Sequence, residues 1–317
     1  MYREKEITAL EEIKLSLMKP EKQIPSKYFY DKKGSKLFDM ICQLDEYYLT
    51  RTEIKIMHDN INDIISGIPE NTQLVELGSG SGIKTKLLLR HLNNIAVYIP
   101  VDISQEYLFS SYKLLRNEFK CLPIYPLCSD FTKPFKLPEV REFYSSTTFY
   151  FPGSTMGNLT PAAAKKLIDH AGKLCGEKGI FLIGIDLVKD YDIIENAYND
   201  KEGVTAEFNL NILSNVNNET GADFETSNFR HKAFFNCEES RIEMHLVSLK
   251  NQIVHMGREV ISIENGESIL TEYSYKYSVD MLKKIIKDSF HIERIWTDAN
   301  NLFGVFMLKR NIGCKLF

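Results

Sequence analysis

Residues 73–85 read QLVELGSGSGIKT, and residues 97–104 read VYIPVDIS. An apolar run closes on Glu76, glycines follow at 78, 80 and 82, and a helical pattern begins near Lys84. A second apolar run closes on Asp102, 26 residues after Glu76. Residue types in this order suit a nucleoside. Glycines let the backbone approach a ligand, and a carboxylate at the end of the next strand can accept both ribose hydroxyls. Nicotinamide and flavin dinucleotides use the same layout, and a tight turn with no ligand also uses glycines. Spacing has to separate these readings.

A dinucleotide fingerprint spaces its glycines G-x-G-x-x-G and starts a helix under a pyrophosphate. Here the order is E-x-G-x-G-x-G, which is similar to the first motif of the S-adenosylmethionine (SAM) methyltransferases. SAM has no phosphate, so an acid beside the loop can favour its cationic methionine end. Lys84 is placed to cap the loop, although taken alone it reads as solvated. Further on, Asp130 and Phe131 form an acid-aromatic pair that can bond the exocyclic amine of adenine and cover its face. An N-capping Asp beside a core Phe gives the same pair.

Those side chains need a sheet to carry them. Apolar runs suggest strands at 73–77, 97–101, 123–128, 147–152 and 179–186, with helical stretches near 84–93, 104–117 and 161–174. Thr160 is an N-cap for the last helix, with Pro161 in its first turn. The alternation predicts a parallel sheet covered by helices on both faces. It stops after Asp186 and resumes with an amphipathic helix at 278–290 and two strands at 291–298 and 302–310. The expectation is an α/β, seven-stranded class I SAM-methyltransferase Rossmann-like sheet. Residues 52–188 and 276–317 would form this SAM-binding domain. Residues 1–51 and 189–275 would form a second, inserted substrate-recognition domain. Ligands in such sheets lie beyond the carboxyl ends of the strands. That rule nominates Gly78, Gly80, Asp102, Asp130, Phe131, the loop GSTMGN (153–158) and Asp186.

Composition narrows the partners. A net charge of −4 gives no basic footprint for nucleic acid, and KKGSK (32–36) and KLPEVR (136–141) read as solvated clusters. The N-terminal stretch through Leu17 is an amphipathic helix pattern without the apolar core of a signal peptide. GIFLIGI (179–185) is too short to cross a bilayer. The six cysteines (42, 121, 128, 175, 237 and 314) contain no C-x-x-C pair, and the seven histidines no H-x-x-x-H. They read as reduced, mostly buried thiols, with no metal site. A cytoplasmic monomer without membrane or nucleic-acid partner is expected.

After the fourth strand the sequence is YFPGSTMGNLTP. This departs from the N/D-P-P-Y/F box of methyltransferases that act on DNA bases. Asn158 remains, and an amide there can orient an amine or a carboxylate; G-N is equally common as a plain turn. At this point the chain resembles the histidine Nα-methyltransferase family, the SAM-dependent enzymes of ergothioneine biosynthesis. The similarity is carried by PSKYFYDKKGSKLFDMICQLDEYYLTRTE (25–53), LVELGSGSGIKT (74–85), FPGSTMGNLTP (151–161) and GIDLVKD (184–190). AYNDKEGVTAEFNLNIL (197–213), RIEMHL (241–246) and TEYSYK (271–276) extend it through the insertion. Local departures are Pro152, Ile83 and Tyr275.

The resemblance implies that Gly78, Lys84, Asp102, Asp130 and Phe131 hold SAM. It implies that Tyr47, Asn158 and Tyr198 hold the α-amino and α-carboxylate ends of L-histidine, with Tyr30 near the amine and Gly153 in its wall. Tyr30 and Asn158 are thus the candidates for the catalytic role. Glu272 and Ser274 would recognise the imidazole, with Met244 packed beside it. If 271–277 is extended, Glu272 and Ser274 share one face. A carboxylate can then accept from one ring N–H while a hydroxyl serves the other nitrogen. A solvated strand edge would show the same alternation. The implied reaction converts L-histidine to Nα,Nα,Nα-trimethylhistidine (hercynine) by successive in-line transfers, with no dedicated base evident beyond Tyr30 or a water. Rival readings are N-methylation of a tryptophan derivative and a SAM-binding sensor without catalysis.

Overall fold

Seven strands form one mixed sheet: β1 (Thr72–Leu77), β2 (Ile95–Asp102), β3 (Leu127–Cys128), β4 (Ser146–Phe151), β5 (Ile180–Asp186), β6 (Phe290–Thr297) and β7 (Phe303–Arg310). Their spatial order is β6-β7-β5-β4-β1-β2-β3. The computed structural model describes residues 8–80, 82–92 and 95–311; Cys314 and the first residues of the N-terminal pattern lie outside the described residues. The chain divides into two compact units, Tyr48–Lys189 with Tyr275–Phe317, and Met1–Tyr47 with Asp190–Ser274.

In the first of these units, β1, β4 and β5 are buried along their whole length. That suits strands covered on both faces, which read as continuous apolar runs. β1 pairs in parallel with β2 and β4, and β4 with β5. β7 runs antiparallel between β5 and β6, so the last two strands form the expected hairpin. The third strand is shorter than the apolar run at 123–128 suggests. Pro123 and Pro126 lack N–H groups, and the ladder is reduced to an isolated bridge between Tyr98 and Ile124 before β3. Thr160 caps the helix Pro161–Cys175 by accepting from the N–H of Ala163 at 3.3 Å.

The other unit holds a three-stranded sheet ordered Ser268–Tyr275, Arg241–Ser248, Phe229–Asn236, and a separate hairpin of Gln252–Met256 and Glu259–Ile263. Its central helix, Val204–Thr220, packs against Ala9–Leu17 and Lys32–Ile41. Three asparagines on that helix pin its neighbours. The Asn215 amide donates to the Tyr28 carbonyl at 2.8 Å, Asn211 to Asp31 at 2.9 Å, and Asn209 to the His245 carbonyl at 3.0 Å. Buried amides need such partners, which is why a helix reading FNLNIL can sit inside.

Two surface expectations change. Only Cys175 of the five described cysteines is buried; Cys121, Cys128 and Cys237 are exposed, because they fall in turns or at the end of the edge strand β3. KKGSK is solvated only at its lysines, since Gly34 and Ser35 are buried. A Cβ on Gly34 would stand 1.7 Å from the carbonyl oxygen of Phe29. Phe29 has nowhere to retreat, because its ring stacks on Phe208 at 4.5 Å between centroids. Gly34→Ala is therefore expected to cost about 2 kcal/mol or more of stability. Urea denaturation of the two proteins measures this, and superimposable curves would refute the close packing.

Candidate active site

The loop after β1 needs its glycines. Gly78, Gly80 and Gly82 have φ of 69°, 46° and 69°, the left-handed region that other residues resist. The N–H of Gly78 donates to the Val101 carbonyl at 2.8 Å, which closes the loop onto the end of β2. Asp102 receives the N–H of Gly80 at 3.1 Å and that of Ser104 at 2.9 Å. Burial raises its carboxyl above the usual range, while the N–H groups of Ser104, Gly80 and Ile103 oppose that shift. An ionised carboxylate offers about four acceptor positions, so these bonds leave capacity for ribose hydroxyls.

Phe131 stands beside the loop. A Cβ on Gly78 would lie 3.6 Å from its ring, so the bare α-carbon opens a slot against an aromatic wall. The ring meets Phe151 edge-on at 5.5 Å. Asp130 accepts from the N–H of Thr132 at 3.0 Å within a turn; no helix starts there and Phe131 is only half-buried, so the plain reading of a helix N-cap beside a core Phe does not hold. The slot, the wall and a carboxylate with acceptor capacity to spare fit SAM. Among the described residues no group of side chains has the makings of a metal site.

Two expectations are corrected here. Glu76 does not face the ligand loop: it is sealed under it, accepting from the hydroxyls of Thr85 and Tyr98. Burial pushes its carboxyl up to about 8, against the pull of those two donors. Lys84 is not solvated: its ammonium lies 2.5 Å from the carboxylate of Glu53. Glu53 also accepts from the N–H of Gly153, at 2.9 Å and 3.1 Å to its two oxygens.

The loop after β4 is held from several sides. Gly153 has φ of 80°, and Ser154 adopts φ of 58° while its hydroxyl accepts from the Asp186 N–H at 2.9 Å. A Cβ on Gly157 would come within 2.9 Å of the Tyr275 carbonyl oxygen, so that backbone approach requires glycine. Asn158 closes the short helix Thr155–Asn158 and is half-buried. Asp186, nominated as a ligand contact, is instead fully buried and consumed. It accepts from Tyr48 at 2.8 Å and 2.9 Å, pairs with Lys276 at 2.7 Å, and bonds Lys189. Burial lowers Lys189 to about 8, against the raising effect of Asp186.

The remaining residues gather in the other unit. Glu272 and Ser274 lie on the strand Ser268–Tyr275, both buried, and alternation puts them on one face. Tyr198 donates its hydroxyl to Ser274 at 2.7 Å. Tyr47 meets Tyr198 edge-on at 6.3 Å, and Phe38 lies 6.2 Å from Tyr47 and 5.8 Å from Tyr30. Burial raises the Tyr47 phenol well above 10, with Tyr198, Cys42, Glu272 and Tyr30 adding to it, so these groups face one another. On the opposite face Thr271 donates to Asn209 at 2.7 Å and to the Met244 carbonyl at 3.0 Å. Met244 is thus tied to this strand through its backbone, with its side chain buried. Sequence reasoning missed Glu53, Tyr48, Lys189 and Lys276, although all four lie inside the quoted motifs.

The strand order, the glycine loop after β1 and the carboxylate ending β2 define a class I SAM-dependent methyltransferase. Residues 9–310 match the family described as histidine-specific methyltransferase, SAM-dependent. The chain belongs to that family. It is 36% identical over 295 residues to the histidine N-alpha-methyltransferase of Mycobacterium tuberculosis (strain CDC 1551 / Oshkosh), covering 91% of each. It is 30% identical over 313 residues to ergothioneine biosynthesis protein 1 of Neurospora crassa, covering 93% of this chain and 34% of that one. The crystal structure of a possible exported protein from Bordetella parapertussis aligns with TM-score 0.50 and 9% identity, over 90% of this chain and 85% of that one. That likeness is of fold alone.

Glu76 makes a pH prediction. Its folded value of about 8 lies above the ordinary 4.5, so the folded protein binds the extra proton. Its stabilising contribution is full below about 4.5 and is lost as pH rises towards 8. Glu76→Gln, neutral throughout, should gain on the parent in Tm by at least ~2 °C between pH 5 and pH 8. Thermal melts at the two values measure it, and a constant gap would contradict the buried neutral carboxyl.

Proposed function

We propose that this protein transfers methyl groups from SAM to the α-nitrogen of L-histidine, three times in succession, giving Nα,Nα,Nα-trimethylhistidine for ergothioneine biosynthesis. The observation that carries the reading is the buried pair Glu272 and Ser274 on one strand face, within a group of tyrosines. A carboxylate on that face can accept from an imidazole N–H while the neighbouring hydroxyl serves the second ring nitrogen.

Tyr47 supports the other end of the amino acid. Its phenol is held neutral well past physiological pH, so it offers an O–H to a carboxylate and does not act as a base. Tyr198 completes that grip, Tyr30 lies near the amine, and Met244 packs beside the ring. Gly78, Asp102, Asp130 and Phe131 hold the adenosine portion of SAM, and Lys84 its carboxylate. The sulfonium supplies an already activated methyl group. The protein's task is to align an unprotonated amine with the S–CH3 bond and keep water out. Gly153 leaves room for an amine that grows by one methyl at each turn. The acidic net charge and free thiols support a cytoplasmic enzyme acting on a small molecule.

Incubation with labelled SAM and a panel of amino acids tests the substrate. Incorporation with histidine, ending at a trimethylated product by mass spectrometry, is expected. Incorporation only with indole substrates would transfer the reading to tryptophan derivatives, and none at all would leave a SAM-binding sensor. Glu272→Ala should weaken histidine binding by ~10- to 100-fold while SAM affinity holds, since a charge-assisted contact is removed at one ligand only. Calorimetric titration of each ligand reads the split. An equal loss for SAM would remove Glu272 from the imidazole site.

A further inference from the structure

Glu53 lies on the helix Tyr48–Asp59 with its side chain almost wholly out of water. Its carboxylate reaches two segments that leave neighbouring strands in opposite directions. One is the helix Ile83–His91 after β1, where Lys84 is 2.5 Å away. The other is the loop after β4, where the Gly153 N–H donates at 2.9 Å. β1 and β4 are adjacent in the sheet, so this is the point at which strand order reverses and ligands bind. Room for the carboxylate is made by a third strand: a Cβ on Gly184 of β5 would stand 2.2 Å from its Oε1. Gly153 and Lys84 are also neighbours, since a Cβ on Gly153 would lie 3.1 Å from the ammonium.

We propose that Glu53 is a positioning residue that sets the Lys84 ammonium and the Gly153 peptide together, tying cofactor affinity to the geometry of the methyl-transfer loop. The inference rests on the methyltransferase reading above and adds a residue to it. SAM carries one anionic group, its α-carboxylate, which is the partner an ammonium at this crevice would take. Without Glu53, Lys84 would be free to swing to solvent, as lysine chains do when nothing holds them. Without Lys84, Glu53 would be a buried charge with its main partner gone. The Gly153 N–H would lose its acceptor in a loop already bent through φ of 80°.

A double-mutant cycle on the full-length protein separates this from simple stabilisation. SAM affinity is measured by calorimetry without amino acid for the parent, Glu53→Gln, Lys84→Met and the double variant. Circular dichroism confirms that each is folded. Glu53→Gln should weaken SAM by about tenfold, the loss of one charge-assisted contact. The double variant should bind SAM no worse than Lys84→Met alone. The glutamine oxygen can still accept from Gly153, so kcat at saturating substrates should fall less in Glu53→Gln than in Glu53→Ala. Unchanged SAM affinity in Glu53→Gln, or independent losses that multiply in the double variant, would overturn the proposal. If Glu53→Ala does not fold, the glutamine cycle still decides. Because SAM binding is read without amino acid, failure here is distinct from failure of the histidine assay.

Discussion

A single carboxylate without access to water organises the larger unit. Asp186 ends β5 and is answered by Tyr48, Lys189 and Lys276. Burial alone would raise its pKa; the two ammonium groups overcome this and hold it below the usual range. Its partners are not scattered. Tyr48 begins the first segment of this unit, Lys189 ends that segment, and Lys276 lies next to the residue that begins the second. The three places where the chain enters or leaves are therefore gathered on one charge. Its own backbone N–H is spent on Ser154, so the loop after β4 hangs from the same knot. Removing the carboxylate would take from two largely buried ammonium groups the anion they share, which costs more than such a network gains on forming.

The two units treat polarity differently. The sheet unit uses carboxylates, each satisfied by named donors: Asp102 by loop N–H groups, Glu76 by hydroxyls, Glu53 by an ammonium and a peptide. The other unit sets neutral hydroxyls and amides around its buried carboxylates, with Tyr47, Tyr198, Ser274, Asn209 and Thr271 bonded or packed among themselves. Neutral donors suit a ligand that carries both charges of an amino acid. They can meet a carboxylate without repelling a quaternary ammonium product. A methyl transfer from a sulfonium needs alignment more than acid-base power, and rigid glycine turns and bonded side chains supply alignment.

Much of this was legible in local pattern. The alternation of apolar runs and helices marks the parallel sheet, and the glycine spacing marks its ligand loop. The resemblance in 271–276 singles out Glu272 and Ser274, and both are buried on one face of their strand. What escaped were partnerships across long separations. Lys84 looks solvated because nothing nearby could bind it, yet its partner lies 31 residues earlier on another helix. Glu76 looks ligand-facing because it precedes the glycines, yet Tyr98 from the next strand covers it. Periodicity reports which face a residue occupies, not which distant group meets it. The third strand failed for a local reason that was in plain view, two prolines that cannot donate to a ladder.

The unit of Met1–Tyr47 and Asp190–Ser274 is assembled from pieces separated by the whole first segment of its neighbour. Phe29 finds its stacking partner in Phe208, and the asparagine amides that secure residues 28 and 31 belong to the same late helix. On a ribosome adding about 5–20 residues each second, the amino-terminal portion emerges on the order of ten seconds before that helix does. During this interval its aromatic and aliphatic faces are uncovered while the strands β1 to β5 are being made. Expression of this protein should accordingly depend on how well the nascent leading segment is kept from sticking to other chains.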